Sequence, residues 1–156
     1  MTKPIPDGFY SLTPHIIVTD GAAAIELYKK AFGAQELSRL MTPDGKALMH
    51  AQLKIGDSML MLGSEFPPQN LAPKSRGGTS AFLNIYLADA DAAFDRAVKA
   101  GCTVKMPVSD MFWGDRYGVV EAPSGHQWSI ATHRHDYTPE QIAAYAKAFF
   151  ANMPKS

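Results

Sequence analysis

The clearest periodic stretch is residues 46–55, where Met49, Ala51, Leu53 and Ile55 alternate with His50, Gln52 and Lys54. A period of two marks a strand with one buried face, and it sets His50 and Gln52 opposite the apolar residues. Gly56-Asp57 forms a tight turn, and residues 58–62 return as the second arm of a hairpin. Residues 35–41 are another β segment, closed by the turn Thr42-Pro43-Asp44-Gly45. Upstream the period lengthens. Ile25, Tyr28 and Phe32 fall at i, i+3 and i+7, which predicts a helix from an Asp20 N-cap to a Gly33 C′ residue. Residues 10–18, YSLTPHIIV, read as the first strand, with Pro14 at its beginning or on an edge. The order is β-α-β-β-β.

Residues 64–79, with three prolines and two glycines, read as a linker, after which the order repeats. Residues 81–87 form a strand, and Asp89 or Asp91 caps a helix with Phe94, Ala97 and Val98 on one face. Gly101 ends that helix, and residues 103–108, 116–121 and 127–130 supply three more strands. Gly33 thus recurs as Gly101, the Gly56-Asp57 turn as Ser124-Gly125, and Met61 as Ser129. Two copies of one βαβββ unit predict an α+β fold and a single domain over 1–156. Module one occupies 8–63, module two 80–133, and a C-terminal helix 138–152. That helix opens on Thr138-Pro139-Glu140-Gln141, a capping Thr followed by Pro at N1 and Gln at N3. Its stripe of Ile142, Tyr145, Ala146 and Phe149 either packs on its own domain or forms a dimer contact.

Composition narrows the partners. Hydrophobic residues at 46% and charged residues at 19% give an ordinary globular balance. Fifteen Lys+Arg against fifteen Asp+Glu leave no basic excess, so neither nucleic acid nor an anionic membrane is expected as the main partner. One cysteine, Cys102, cannot form an internal disulfide, which suits a reducing cytoplasm. The first ten residues contain no apolar core of a secretory signal, and no run is long enough to span a bilayer. The expectation is a soluble cytoplasmic protein.

Four segments carry a resemblance: TPHIIVTDGAAAIELYKKAFGA, MHAQLKIGDSMLML, ADADAAFDRAVKAG and MFWGDRYGVVEAPSGHQWSIATH. Together they resemble the vicinal oxygen chelate superfamily of glyoxalase, bleomycin-resistance and extradiol-dioxygenase proteins, and the PhnB-like branch within it. The Phe-Trp-Gly-Asp-Arg-Tyr-Gly run is the most specific, since no propensity explains it. The superfamily's acidic-Pro-x-Gly turn stands here as Ala122-Pro123-Ser124-Gly125. The resemblance implies two βαβββ modules whose mixed sheets curl into an open cup with the helices outside. It also implies homodimers, as exposed module edges and an apolar tail helix do here.

In the superfamily's metalloenzymes, His and Glu ligands stand on the first and fourth strands of each module. The matching positions here fall at Thr13, Met61, Phe82 and Ser129, none of them a good ligand for a divalent catalytic metal. No metal and no cofactor are therefore expected. The pocket wall is expected to include Thr13, His15, His50, Gln52, Met61, Phe82, Asn84, Trp113, Arg116 and Ser129. His15 shares strand parity with Thr13 and is either a hydrogen-bonded wall residue or a base with a pKa near neutrality. Asn84 and Tyr86 face the cup if Phe82 does. Arg116 either clamps an anionic ligand group or pairs with Asp115 or another carboxylate. Trp113 offers flat apolar area at a pocket mouth, whereas Trp128 has opposite parity to Ser129 and packs under a helix. His126 reads as a turn residue, Cys102 as a small strand residue, and His133-Arg134-His135 as a junction rather than a metal pair.

Three functions follow from these residues. The first is a metal-independent binder of an unidentified small molecule. The second is an enzyme, lyase- or isomerase-like, acting on a small polar substrate through His15, His50 or Arg116. The third is a displaced metal site built from His15 and His50 with Glu65 or Glu121.

Overall fold

The computed structural model describes residues 2–154, so Met1, Lys155 and Ser156 at the ends of the expected domain lie outside the described residues. Module one consists of β1 (His15–Val18), α1 (Gly21–Phe32), β2 (Gln35–Met41), β3 (Leu48–Ile55) and β4 (Ser58–Ser64). Module two consists of β5 (Phe82–Tyr86), α3 (Ala90–Ala100), β6 (Thr103–Asp110), β7 (Asp115–Glu121) and β8 (Gln127–His133). The short α2 (Pro73–Arg76) lies between them, and α4 (Pro139–Ala151) closes the chain. The strands make two four-stranded sheets, ordered β1-β4-β3-β2 and β5-β8-β7-β6. In each, the first strand runs parallel to the last while the others are antiparallel, so the two modules repeat one topology. The α+β fold of two βαβββ modules is the one expected.

Local chemistry sets the helix ends as predicted. The Asp20 carboxylate accepts from the Ala23 amide at 3.0 Å, and Asp89 does the same for Ala92 at 3.0 Å. Gly33, at φ 67°, turns the chain out of α1 in a left-handed conformation that disfavours a side chain. Thr138 and Gln141 form the expected capping box on α4.

Helices α1 and α3 each cover one face of their own sheet and pack against one another. One apolar core therefore runs through both modules, with Ile25, Tyr28, Leu53, Leu62, Val120 and Ile130 buried in it. Each large aliphatic side chain so buried contributes roughly 1.5–3 kcal/mol. Trp128 joins the halves, its ring 5.1 Å from Tyr28 and 4.7 Å from Phe32 of α1, which is the helix packing its parity predicts.

The structure departs from the sequence reading at several strand ends and in two local features. β1 starts at His15, because the residues ahead of Pro14 have no strand partner, and β8 continues past Ile130 to His133, paired with β7. The linker holds α2, started by Pro73 at its first turn. Met49 is exposed rather than buried: Leu40 pairs with His50 and Met41 with Leu48, so a bulge ejects Met49 from the alternation. The bulge brings the Met49 carbonyl so close to β4 that a Cβ at Gly63 would lie 2.8 Å from it.

Candidate functional site

The sheets open away from the helices, and the edges β1 and β5 are not hydrogen-bonded to one another. Between β5 on one side and the chain ahead of β1 together with the β3–β4 hairpin on the other lies a cleft of about 730 Å³, inside the range of about 300–1,000 Å³ typical of small-molecule sites. Tyr10, Leu12 and Thr13 line it ahead of β1, Asp57 and Met59 line it from the β3–β4 hairpin, and Phe82, Asn84 and Tyr86 line it from β5. Of the ten residues expected in the pocket wall, Thr13, Phe82 and Asn84 reach this cleft. Thr13 spends its hydroxyl proton on the Tyr10 carbonyl at 3.1 Å.

A polar network backs one wall. Ser129 donates to the Asn84 side-chain oxygen at 2.7 Å. Tyr86 donates to Asp115 Oδ2 at 3.0 Å, and the Trp113 indole N–H reaches the same oxygen at 3.0 Å. His133 Nδ1 sits 2.7 Å from Asp115 Oδ1, while its Nε2 lies 3.0 Å from Asp136. Asp115 is buried, so its carboxylate holds three donors in place. Those bonds have electrostatic consequences: the Asp136 and then the Asp115 carboxylate hold the His133 imidazole above its ordinary pKa, and Asp115 holds the Tyr86 phenol above its own.

Asp115 and His133 are absent from the expected pocket wall, yet a signal for them exists. In the hairpin around Ser124, Glu121 pairs with Gln127, and the same register carried outward sets Asp115 against His133. Ending the last strand at Ile130 hides that pair.

His15, His50, Gln52 and Met61 form a separate cluster on the open face of sheet one. Met61 is directly opposite both His15 and Gln52. The two imidazoles meet edge to face, with centroids 5.4 Å apart and planes at 88°. Partial burial, and then the neighbouring His50, push the His15 pKa down. None of the four lines the cleft.

Arg116 does not join the pocket wall. Strand parity turns it away from Asp115 and toward α3, where Nε and an NH2 group grip the Asp91 carboxylate at 2.9 and 2.8 Å. Of the readings open to it, pairing with a carboxylate other than Asp115 is the observed one. Glu65 accepts from the Ala72 amide at 3.0 Å and pins the linker, while Glu121 pairs with Lys105 at 3.5 Å. Neither carboxylate therefore stands with the His15–His50 pair. His126 is buried, and burial drops its pKa to about 4. Cys102 is buried too, its thiol pushed up to about 11, which suits a core residue. Among the described residues no helix is long and apolar enough to cross a membrane.

Residues 11–130 match the Glyoxalase/Bleomycin resistance protein/Dioxygenase superfamily. The chain belongs to this superfamily. A curated relative from Mycobacterium bovis, the uncharacterized protein Mb0911c, is 43% identical over 138 residues, covering 86% of this chain and 90% of its own. Among solved structures, TioX from Micromonospora sp. ML1 is 26% identical with a TM-score of 0.63, covering 80% of this chain and 98% of TioX. A Bacillus cereus structure described as a putative 3-demethylubiquinone-9 3-methyltransferase, PhnB protein, shares the fold at 12% identity and a TM-score of 0.60. It covers 79% of this chain and 99% of that protein.

The residues opposite Met61 and Ser129 are His15 and Asn84, two places beyond the expected Thr13 and Phe82. The facing set is thus an imidazole, a thioether, an amide and a hydroxyl, with the hydroxyl and the amide oxygen already bonded to each other. With no carboxylate among them, these residues do not fit the superfamily's divalent metal.

Proposed function

We propose that this member of the superfamily is a metal-independent, cytoplasmic small-molecule-binding protein of the glyoxalase/bleomycin-resistance type, working as a homodimer. The observation that carries the reading is the cleft between β5 and the β3–β4 hairpin. It combines exposed aromatic rings with a few fixed polar groups, the mixture that gives a pocket both area and orientation. The misfit of the metal positions supports the metal-independent part. Dimerisation draws on α4, which leaves Tyr145, Phe149 and Phe150 exposed and touches the domain through Phe112 and Tyr137.

The test is a thermal-shift screen of EDTA-treated protein against a small-molecule library, since a ligand selective for the folded state raises the melting temperature. Stabilising ligands that need no added metal support the proposal. Stabilisation that appears only with a divalent ion overturns it. Light scattering after size exclusion reads the dimer, and Phe150→Asp should shift it toward monomer.

A second reading, an enzyme acting on a small polar substrate, is favoured by one arrangement: Tyr86 and His133 held on a shared buried carboxylate. Turnover by metal-free protein that disappears in His133→Ala would support it.

A further inference from the structure

The cleft's charge inventory is one-sided. Among the described residues that line it, Asp57 is the single charged one, and there is no Lys, Arg or His. Lys54 lies opposite Met59 on the neighbouring strand but does not line the cleft. An anionic group placed here would face a carboxylate, with no counter-charge among the lining residues. The remaining chemistry points the other way. Tyr10, Phe82 and Tyr86 leave 65%, 57% and 60% of their surface exposed, so their ring faces are available to a ligand. Such faces attract cations that come within about 6 Å of the ring centre. The Tyr86 proton is committed to Asp115, which leaves the phenol oxygen as an acceptor for an ammonium N–H. Asp57 is exposed, with the Ser58 hydroxyl on one of its oxygens at 2.8 Å.

We infer that the cleft is selective for organic cations, apolar ring-bearing amines, and discriminates against anions. This rests on the small-molecule-binding reading and names the ligand class for the same site. Aromatic area provides non-specific affinity, while the rings, the phenol oxygen and Asp57 together set the sign of charge that is tolerated.

Three probes of one skeleton test it: tryptamine, indole-3-propionamide and indole-3-propionate, which are cationic, neutral and anionic at pH 7. Each is titrated into the full chain while backbone amide NMR shifts are followed. Tryptamine should move the amides of Gly56–Leu60 and Phe82–Leu87, binding at least about tenfold more tightly than the propionate, with the amide between them. Asp57→Asn should cut that preference about threefold, and high salt should narrow it because exposed charges are screened. Equal affinity for all three, or preference for the anion, overturns the cation assignment while leaving the binding reading intact. Absence of any shift in the cleft at millimolar tryptamine also overturns it, and the library screen then decides the binding reading separately. Tryptamine binding unchanged in both Asp57→Asn and Tyr86→Phe would likewise sink the assignment, because the groups named here would not be the ones used.

Discussion

Asp115→Ala removes the acceptor on which the module-two wall is organised. The buried carboxylate takes three hydrogen bonds, from Tyr86 and Trp113 at 3.0 Å each and from His133 at 2.7 Å. A hydrogen bond to a charged group is worth about 1.5–3 kcal/mol net. Three at face value would exceed 4 kcal/mol, but Tyr86 and His133 are each more than half exposed, so water recovers part of their loss. The expected net cost is about 3 kcal/mol. For a chain of this length that lowers the melting temperature by roughly 6–12 °C. Asp115→Asn keeps one carbonyl oxygen but turns an NH2 group toward one of the donors, and should cost about half as much. Urea unfolding followed by circular dichroism measures both variants. An NMR titration adds an independent readout: with Asp136 alone left as partner, the raised His133 pKa should move back toward 6.5. A loss below about 1 kcal/mol with an unmoved His133 titration would refute the view that Asp115 organises this wall.

Trp128→Ala should cost about 3–5 kcal/mol, since the ring fills the junction between Tyr28, Phe32 and sheet two. Trp128→Phe should lose much less, because the indole N–H has no hydrogen-bond partner among the described residues. The buried His126 has a folded pKa of about 4 against an ordinary 6.5. The unfolded state therefore binds more protons between those values, and stability falls as pH drops through that window, by about 3 kcal/mol at most. His126→Gln should flatten that part of a stability–pH curve, and an unchanged slope would contradict the burial argument. Arg116→Ala should leave ligand affinity in the cleft unchanged and cost stability only modestly, because its partly exposed partner Asp91 is on α3. Calorimetric titration of any ligand found in the screen checks the first part.

Much of the fold was legible because its signals are local. The α1 stripe, the caps at Asp20, Asp89 and Thr138, and the repeated βαβββ order all follow from spacing within about 15 residues. The site was less legible because it depends on pairing between strands. The alternation in β3 sets His50 and Gln52 opposite the buried Ala51 and Leu53, but a bulge that no single strand announces ejects Met49. Parity alone determines that Asp115 and Arg116 face opposite ways. Which of them faces the open side becomes clear only when β8 is carried to His133. The wall residues split into a cleft group, a network group and the His15–His50 cluster for the same reason, while Arg116 turns to Asp91. Sequence parity says which face a residue occupies, not how far two sheet edges stand apart.

The most direct test of the central claim is calorimetric titration of the best library ligand into EDTA-treated wild-type protein and into Phe82→Ala, a change at an exposed ring that lines the cleft. The expected result is saturable binding to one site per chain without metal, weakened at least about tenfold in Phe82→Ala. Binding that requires a divalent ion, or that ignores the loss of Phe82, would contradict it.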